Sequence, residues 1–161
     1  MTFYFIIFAS SHAAYIRGPG GRLFKYFDVE EKWKGASEKC ASNGGHLAAL
    51  NTAKLNVFFK DHLSGKKYWI GYTYNVTVGE WKWVNNRDLS ATDHKNWNTG
   101  EPNNLPEEAC TVMDPSGKWN NVVCTENVAF LCEFRKKKHC AIDSVYGGRD
   151  YLERQREVPE L

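Results

Sequence analysis

Apolar residues along this chain change their spacing several times, and each change marks an element. Phe24 and Tyr26 alternate with Lys25, the period of a half-buried strand. EEKWKGASEKCASNGG then sets Trp33, Ala36, Cys40 and Ala41 at i, i+3, i+7 and i+8, one face of a helix. Glu30 and Glu31 suit its first turn, and Gly44 and Gly45 its stop. HLAAL is short and apolar, a strand. NTAKLNVFFKDHL opens with a capping Asn51 or Thr52 and aligns Leu55, Phe58, Phe59, His62 and Leu63 on a second helical face. His62 on that stripe reads as a boundary side chain. KYWIGYT (67–73) and EWKWV (80–84) read as strands with aromatic residues for the core. CTVM (110–113), WNNVVC (119–124) and AFLCEF (129–134) complete the set. Helices early and strands late predict an α+β domain.

Between the strands, residues 85–108 lose periodicity and fill with Asn, Asp, Thr, Pro and Glu. A polar loop of that length inside a compact domain is usually functional. Its centre is NWNTGEPNN (96–104), where Glu101 and Asn103 flank Pro102. In and just after the loop stand Glu101, Asn103, Asn104, Glu107, Glu108, Asn120 and Asn121. Carboxylate and amide oxygens without thiolate or imidazole suit a hard cation, Ca²⁺ more readily than the strictly octahedral Mg²⁺. EF-hand spacing is absent. By composition alone, these residues could equally be turn formers.

The ends of the chain have another character. Residues 3–9 (FYFIIFA) are apolar but too few to span a bilayer. Followed by Ser11-His12-Ala13, they read as a signal peptide over 1–13, although no basic region precedes them; the alternative is a buried strand or a truncated end. Residues 14–23, with RGPGGR at 17–22, read as a spacer. Residues 135–161 begin with a basic run and read as a charged, flexible tail. The 161 residues therefore divide into leader, spacer, one domain over 24–134, and tail. A net charge of only +2 gives no ground for nucleic-acid or membrane-surface binding.

Of five cysteines, none forms a CxxC pair, and the histidines complete no zinc pattern. Two disulfides with one cysteine left over point to an oxidising compartment. The sequon Asn75-Val76-Thr77 then marks a glycosylation site for a secreted chain. No nucleophile–base pair, phosphate loop or catalytic metal signature appears, so the expectation is a binding protein and not an enzyme.

WxxAxxxC (Trp33, Ala36, Cys40), WIG (69–71), the WKW pair, EPN (101–103), EAC (108–110), WNN (119–121) and the closing cysteines occur in family order. Together they resemble a C-type lectin-like domain in its short form, over Phe24 to Phe134, most similar to the selectin and mannose-type lectin domains. The resemblance implies two helices packed on antiparallel sheets with a long Ca²⁺-binding loop. It implies disulfides Cys40–Cys132 and Cys110–Cys124, and a cis bond before Pro102. It further implies one Ca²⁺ held by Glu101, Asn103, Glu108 and Asn120, with Asn121 at the fifth position. Vicinal sugar hydroxyls would join that ion, giving protons to Glu101 or Glu108 and taking them from Asn103 or Asn120. In the family, EPN order goes with mannose-, fucose- or GlcNAc-type glycans and QPD with galactose. The implied role is secreted recognition of glycans on cells or microbes, in innate immunity or adhesion.

The chain also departs from the pattern. WNN stands where sugar binders usually have WND, which removes one negative charge and predicts a weaker site. One residue is missing between EPN and Cys110, so Glu107 competes with Glu108 as ligand. Tyr74, Val78 and Asn104 stand where an auxiliary Ca²⁺ site would need acids, so only one site is expected. Lys67 replaces a selectin tyrosine and reads as a solvated lysine. Cys140 falls outside the disulfide framework, suggesting an interchain dimer bond, the beginning of a lost downstream module, or a chance cysteine. A Ca²⁺-independent protein-binding or ice-binding module with a degenerate metal site is the competing reading.

Overall fold

A computed structural model describes residues 15–62, 65–85 and 94–134. The expectations for the leader, the tail, Leu63 and Cys140 lie outside these residues. Eight strands and two α-helices follow in the order β1 (Ile16–Arg17), β2 (Leu23–Glu31), α1 (Trp33–Ser42), β3 (Gly45–Leu47), α2 (Ala53–His62), β4 (Tyr68–Asn75), β5 (Glu80–Trp83), β6 (Cys110–Met113), β7 (Trp119–Val122) and β8 (Val128–Phe134).

Every residue of β8 is buried, because it lies at the centre of the sheet. The main strand order is β1-β2-β8-β4-β6-β7, with β3 also on β8 and β5 also on β4. Most pairs are antiparallel, but β4 and β8 run parallel through Tyr68↔Ala129 and Trp69↔Phe130. The expected helices on a largely antiparallel sheet are present, and this one parallel pair makes the sheet mixed. Strand alternation divides its side chains between two cores. Ile70, Tyr72 and Leu131 join Leu55 and Phe59 of α2 in one. Trp69, Phe130 and Cys132 join Ala36 and Cys40 of α1 in the other. Trp69, Trp83 and Trp119 are all at most 1% exposed. Removing roughly 200 Å² of each from water is worth about 5 kcal/mol gross.

The helices begin and end for local reasons. Thr52 caps α2, its hydroxyl accepting from Leu55 N–H at 3.2 Å. α1 has no side-chain cap; Trp33 N–H instead donates to Cys124 O at 3.1 Å. Glu30 and Glu31, expected in its first turn, belong to β2, and Glu31 reaches forward to Lys39. α1 stops at Asn43 and at Gly44, whose φ of +78° favours glycine. Both implied disulfides are present. Cys40–Cys132 ties α1 to β8 with Cα atoms 5.5 Å apart, and Cys110–Cys124 ties β6 to the segment after β7 at 5.2 Å.

Residues 15–23 of the span read as a spacer carry structure of their own. Ile16 and Arg17 pair with Phe24 and Leu23 in a hairpin, closed by a 3₁₀ turn over Pro19–Gly21. Arg22 then enters the domain. Its guanidinium pairs with the Glu133 carboxylate, reaches Asn51 Oδ1 at 3.0 Å and donates to Ala49 O at 2.6 Å. Glu133 also accepts from Ala49 N–H, so one charge pair, with Glu133 buried and Arg22 partly so, joins the hairpin, β8 and the approach to α2.

Candidate functional site

The long loop is anchored to the sheet by an aromatic cluster. Trp97 bridges to Trp119 of β7 and packs on Trp81, with ring centroids 4.8 Å apart, and on Tyr72 at 5.7 Å. Asn98 N–H donates to Trp119 O, and Trp119 N–H to Asn96 O, so two backbone bonds hold the loop's entrance to β7. Below them, the buried Asn56 of α2 accepts from Trp119 Nε1 at 2.7 Å and donates to Gly117 O at 2.9 Å. The exit is held from the other side, where Ala109 O accepts from Tyr74 N–H and Thr73 Oγ1, both at 2.9 Å.

Between these anchors the chain turns sharply. The Glu101–Pro102 bond is cis, as the family resemblance implies, and Leu105–Pro106 is cis as well, which the sequence reading did not anticipate. Asn103 Nδ2 donates to Glu101 Oε1 at 2.9 Å, so the carboxylate and amide flanking Pro102 meet. The second oxygen, Glu101 Oε2, is buried without a donor. Asn104 Nδ2 donates to Glu108 Oε1 at 3.1 Å. Glu108 is half-buried, whereas Glu107 is exposed on the turn.

β7 supplies Asn120 and Asn121, which point to opposite faces because strand side chains alternate. Asn120 sits among polar partners: its Oδ1 accepts from Asn98 Nδ2 at 3.3 Å, and its Nδ2 reaches Asp114 Oδ2 at 3.4 Å. Asn121 is only 2% exposed. Its Oδ1 accepts from Asn103 N–H at 2.9 Å. Its Nδ2 donates to Asn103 O at 2.5 Å and to Glu108 O at 2.8 Å. Asn98 and Asp114 are the neighbours that sequence reasoning missed. Their signal was weak, since both also make turns: Asn98 with Thr99 N–H, and Asp114 with the N–H groups of Ser116 and Lys118.

The bonds join Glu101 to Asn103, and Asn121 to the main chain of Asn103 and Glu108, whereas Asn120 meets Asn98 and Asp114 on the other face of β7. A buried carboxylate oxygen lacking a donor is costly unless a proton or cation meets it. Glu101 Oε2 is such an atom, and a carboxylate paired with the Asn103 amide is a donor set that suits a hard cation. Among the described residues, no three or more His, Cys, Asp and Glu side chains cluster, so the fit rests on carboxylates and amides together. At the position considered for an auxiliary site, Tyr74 packs on Trp81 at 5.6 Å and Val78 is exposed. Lys67 lies 3.0 Å from Glu126, outside this group of residues. The sequon lies at the end of β4, where Asn75 Oδ1 accepts from Thr77 N–H at 3.0 Å.

The family model of the lectin C-type domain matches residues 29–134. The chain belongs to the C-type lectin family. Relatives of this C-type lectin include the human C-type lectin domain family 17, member A, 31% identical over 70% of this chain and 29% of its own length. The perlucin-like protein of Mytilus galloprovincialis is 28% identical over 81% of this chain and 91% of its own length. The hepatic lectin of Gallus gallus is 31% identical over 70% and 55%. The chain therefore spans nearly all of the mussel relative but only part of the human and chicken proteins.

Solved structures similar to this C-type lectin include the cow carbohydrate-recognition domain of CD23, determined in the presence of a GlcNAc2Man3 oligosaccharide. The TM-score is 0.65 and the identity 27%, over 71% of this chain and 88% of that one. The carbohydrate-recognition domain of the mouse scavenger receptor C-type lectin gives 0.65 and 28% over 72% and 92%. A calcium-independent type II antifreeze protein shares the fold, with a TM-score of 0.65 at 24% identity over 76% of this chain and 96% of that one. By their names, the human and chicken relatives are lectins. Among the described residues, no helix is long and apolar enough to cross a membrane.

Proposed function

We propose that this domain binds glycans of the mannose, fucose or GlcNAc type in a Ca²⁺-dependent manner, as a secreted recognition or adhesion protein. The observation that carries the reading is the Glu101–Asn103 pair, which leaves one buried carboxylate oxygen without a donor. Glu101, Asn103, Glu108 and Asn120 are the residues we assign to the ion. Asn121, expected from the sequence as a fifth ligand, uses its amide to fasten the loop above them. The half-burial of Glu108 and its bond from Asn104 favour it over the exposed Glu107.

A Ca²⁺ ion bound there would supply positive charge and coordination positions for two vicinal hydroxyls. The protein's share is to complete each hydroxyl's hydrogen bonding. Glu101 and Glu108 accept hydroxyl protons; the Asn103 and Asn120 amides donate. Charge-assisted bonds of this kind reward one arrangement of neighbouring hydroxyls, which is the source of selectivity.

Retention on immobilised mannose, fucose and galactose tests this assignment. Wild-type protein should be held by mannose or fucose and released by chelator. Glu101→Gln with Asn103→Asp should move retention toward galactose; an unmoved preference contradicts the role given to this pair. A Ca²⁺-independent binding module is the second reading, favoured by the all-protein bonding of Asn121. Retention that survives chelator would select it.

A further inference from the structure

The bonds of Asn121 carry a consequence for the neighbouring loop. Its orientation follows from its partners, because Asn103 N–H can only donate and the Asn103 and Glu108 carbonyls can only accept. One amide therefore satisfies three main-chain groups on two separate segments of the loop, and it does so at 2% exposure, where water cannot replace it. Asn103 and Glu108 are themselves the anchored residues, and Glu101 lies two residues before Asn103.

We infer that Asn121 is a positioning residue that stands in for a cation, holding two loop carbonyls with its N–H donors so that the loop is formed before Ca²⁺ arrives. Its NH₂ group provides partial positive charge to the Asn103 and Glu108 carbonyl oxygens. An aspartate, found here in the WND pattern, has the same shape but offers only acceptors. Facing the same two carbonyls it would repel them, unless a cation lay between. The substitution that weakens the charge of the site thus makes the loop independent of metal. In this chain Ca²⁺ would change the occupancy of the site and leave the loop's order unchanged. The inference rests on the metal-site reading only for its rescue step.

Hydrogen exchange of the full chain, followed at Asn103, Glu101 and Glu108 N–H, tests it in chelator and in millimolar Ca²⁺. Asn103 N–H donates to Asn121, Glu101 N–H to Asn98 O and Glu108 N–H to Asn104 O. In wild-type protein all three should be protected in chelator. In Asn121→Asp the protection in chelator should fall by about tenfold or more, the loss of one to two net hydrogen bonds, and Ca²⁺ should restore it. A merely structural asparagine would give a loss that Ca²⁺ does not repair, which overturns the inference. Exchange at unprotected rates in wild-type chelated protein also overturns it, as does Asn121→Asp protection equal to wild type. The wild-type measurement stands alone if the variant does not fold. Wild-type protein that takes up no Ca²⁺ yet keeps a protected loop would sink the metal-site reading and leave the clasp intact.

Discussion

Asn56 is a buried polar residue on an apolar helical stripe, and replacing it should weaken the whole platform beneath the loop. In Asn56→Leu, the branched shape of the side chain is kept while both hydrogen bonds vanish. The two partners do not suffer equally. Gly117 O also accepts from Asn96 Nδ2 at 2.7 Å, so it keeps a donor and loses one net bond, about 0.5–1.5 kcal/mol. Trp119 Nε1 has Asn56 as its acceptor, and Trp119 is 0% exposed, so its indole N–H is stranded at a cost of about 1–3 kcal/mol. The sum is about 1.5–4.5 kcal/mol, or roughly 6–18 °C in Tm at about 4 °C per kcal/mol. Urea unfolding monitored by tryptophan fluorescence measures it. A cycle with Trp119→Phe isolates the indole bond, since phenylalanine has no N–H to strand; the two changes should couple by about 1–3 kcal/mol. A loss under about 0.5 kcal/mol, or coupling indistinguishable from zero, would refute the reasoning.

Arg22→Met should cost about 3–5 kcal/mol by leaving the Glu133 carboxylate buried and unpaired, and adding Glu133→Met should recover much of it, both read by urea unfolding. His94 has its pKa lowered, first by burial and then by Lys118. The unfolded chain therefore binds a proton that the folded one resists, so His94 adds stability above the ordinary histidine pKa near 6.5 that is lost as pH falls toward its folded value. His94→Asn should flatten that part of the stability-versus-pH curve; an unchanged slope would exclude the residue as its source. Expressed through a eukaryotic secretory pathway, the wild type should lose apparent mass on glycosidase treatment and Asn75→Gln should not; equal behaviour would remove the sequon from the account.

The helices and most strands are legible in the sequence because their side-chain periods are local. Trp33, Ala36 and Cys40 report α1 from ten residues of chain, and the continuous apolar, aromatic run within 67–73 reports β4. The N-terminal hairpin is not legible in this way, because a two-residue strand carries no period and Arg22 finds its partner 111 residues later. Nor is the parallel contact of β4 with β8, which depends on chain crossing. At the site, residue type and family order mark Glu101, Asn103, Glu108 and Asn120. They cannot distinguish a ligating Asn121 from one whose amide is spent on main-chain partners, since both need an asparagine at that place. Asn56 was hidden for a related reason: on a helical stripe a polar residue looks like a break in the pattern until its buried partners are seen.

The central claim is that Glu101, Asn103, Glu108 and Asn120 form a Ca²⁺ site that presents glycan hydroxyls to the protein. Isothermal titration of the full chain with Ca²⁺ tests it most directly, run beside Glu101→Gln. Wild type should bind one Ca²⁺ per chain, weakly for a site with two carboxylates, in the sub-millimolar to millimolar range (about 10⁻⁴–10⁻³ M). Glu101→Gln should weaken that binding by about tenfold or more, because a charged ligand is lost. Absence of heat from wild type at several millimolar Ca²⁺, or equal binding by the variant, would contradict the claim.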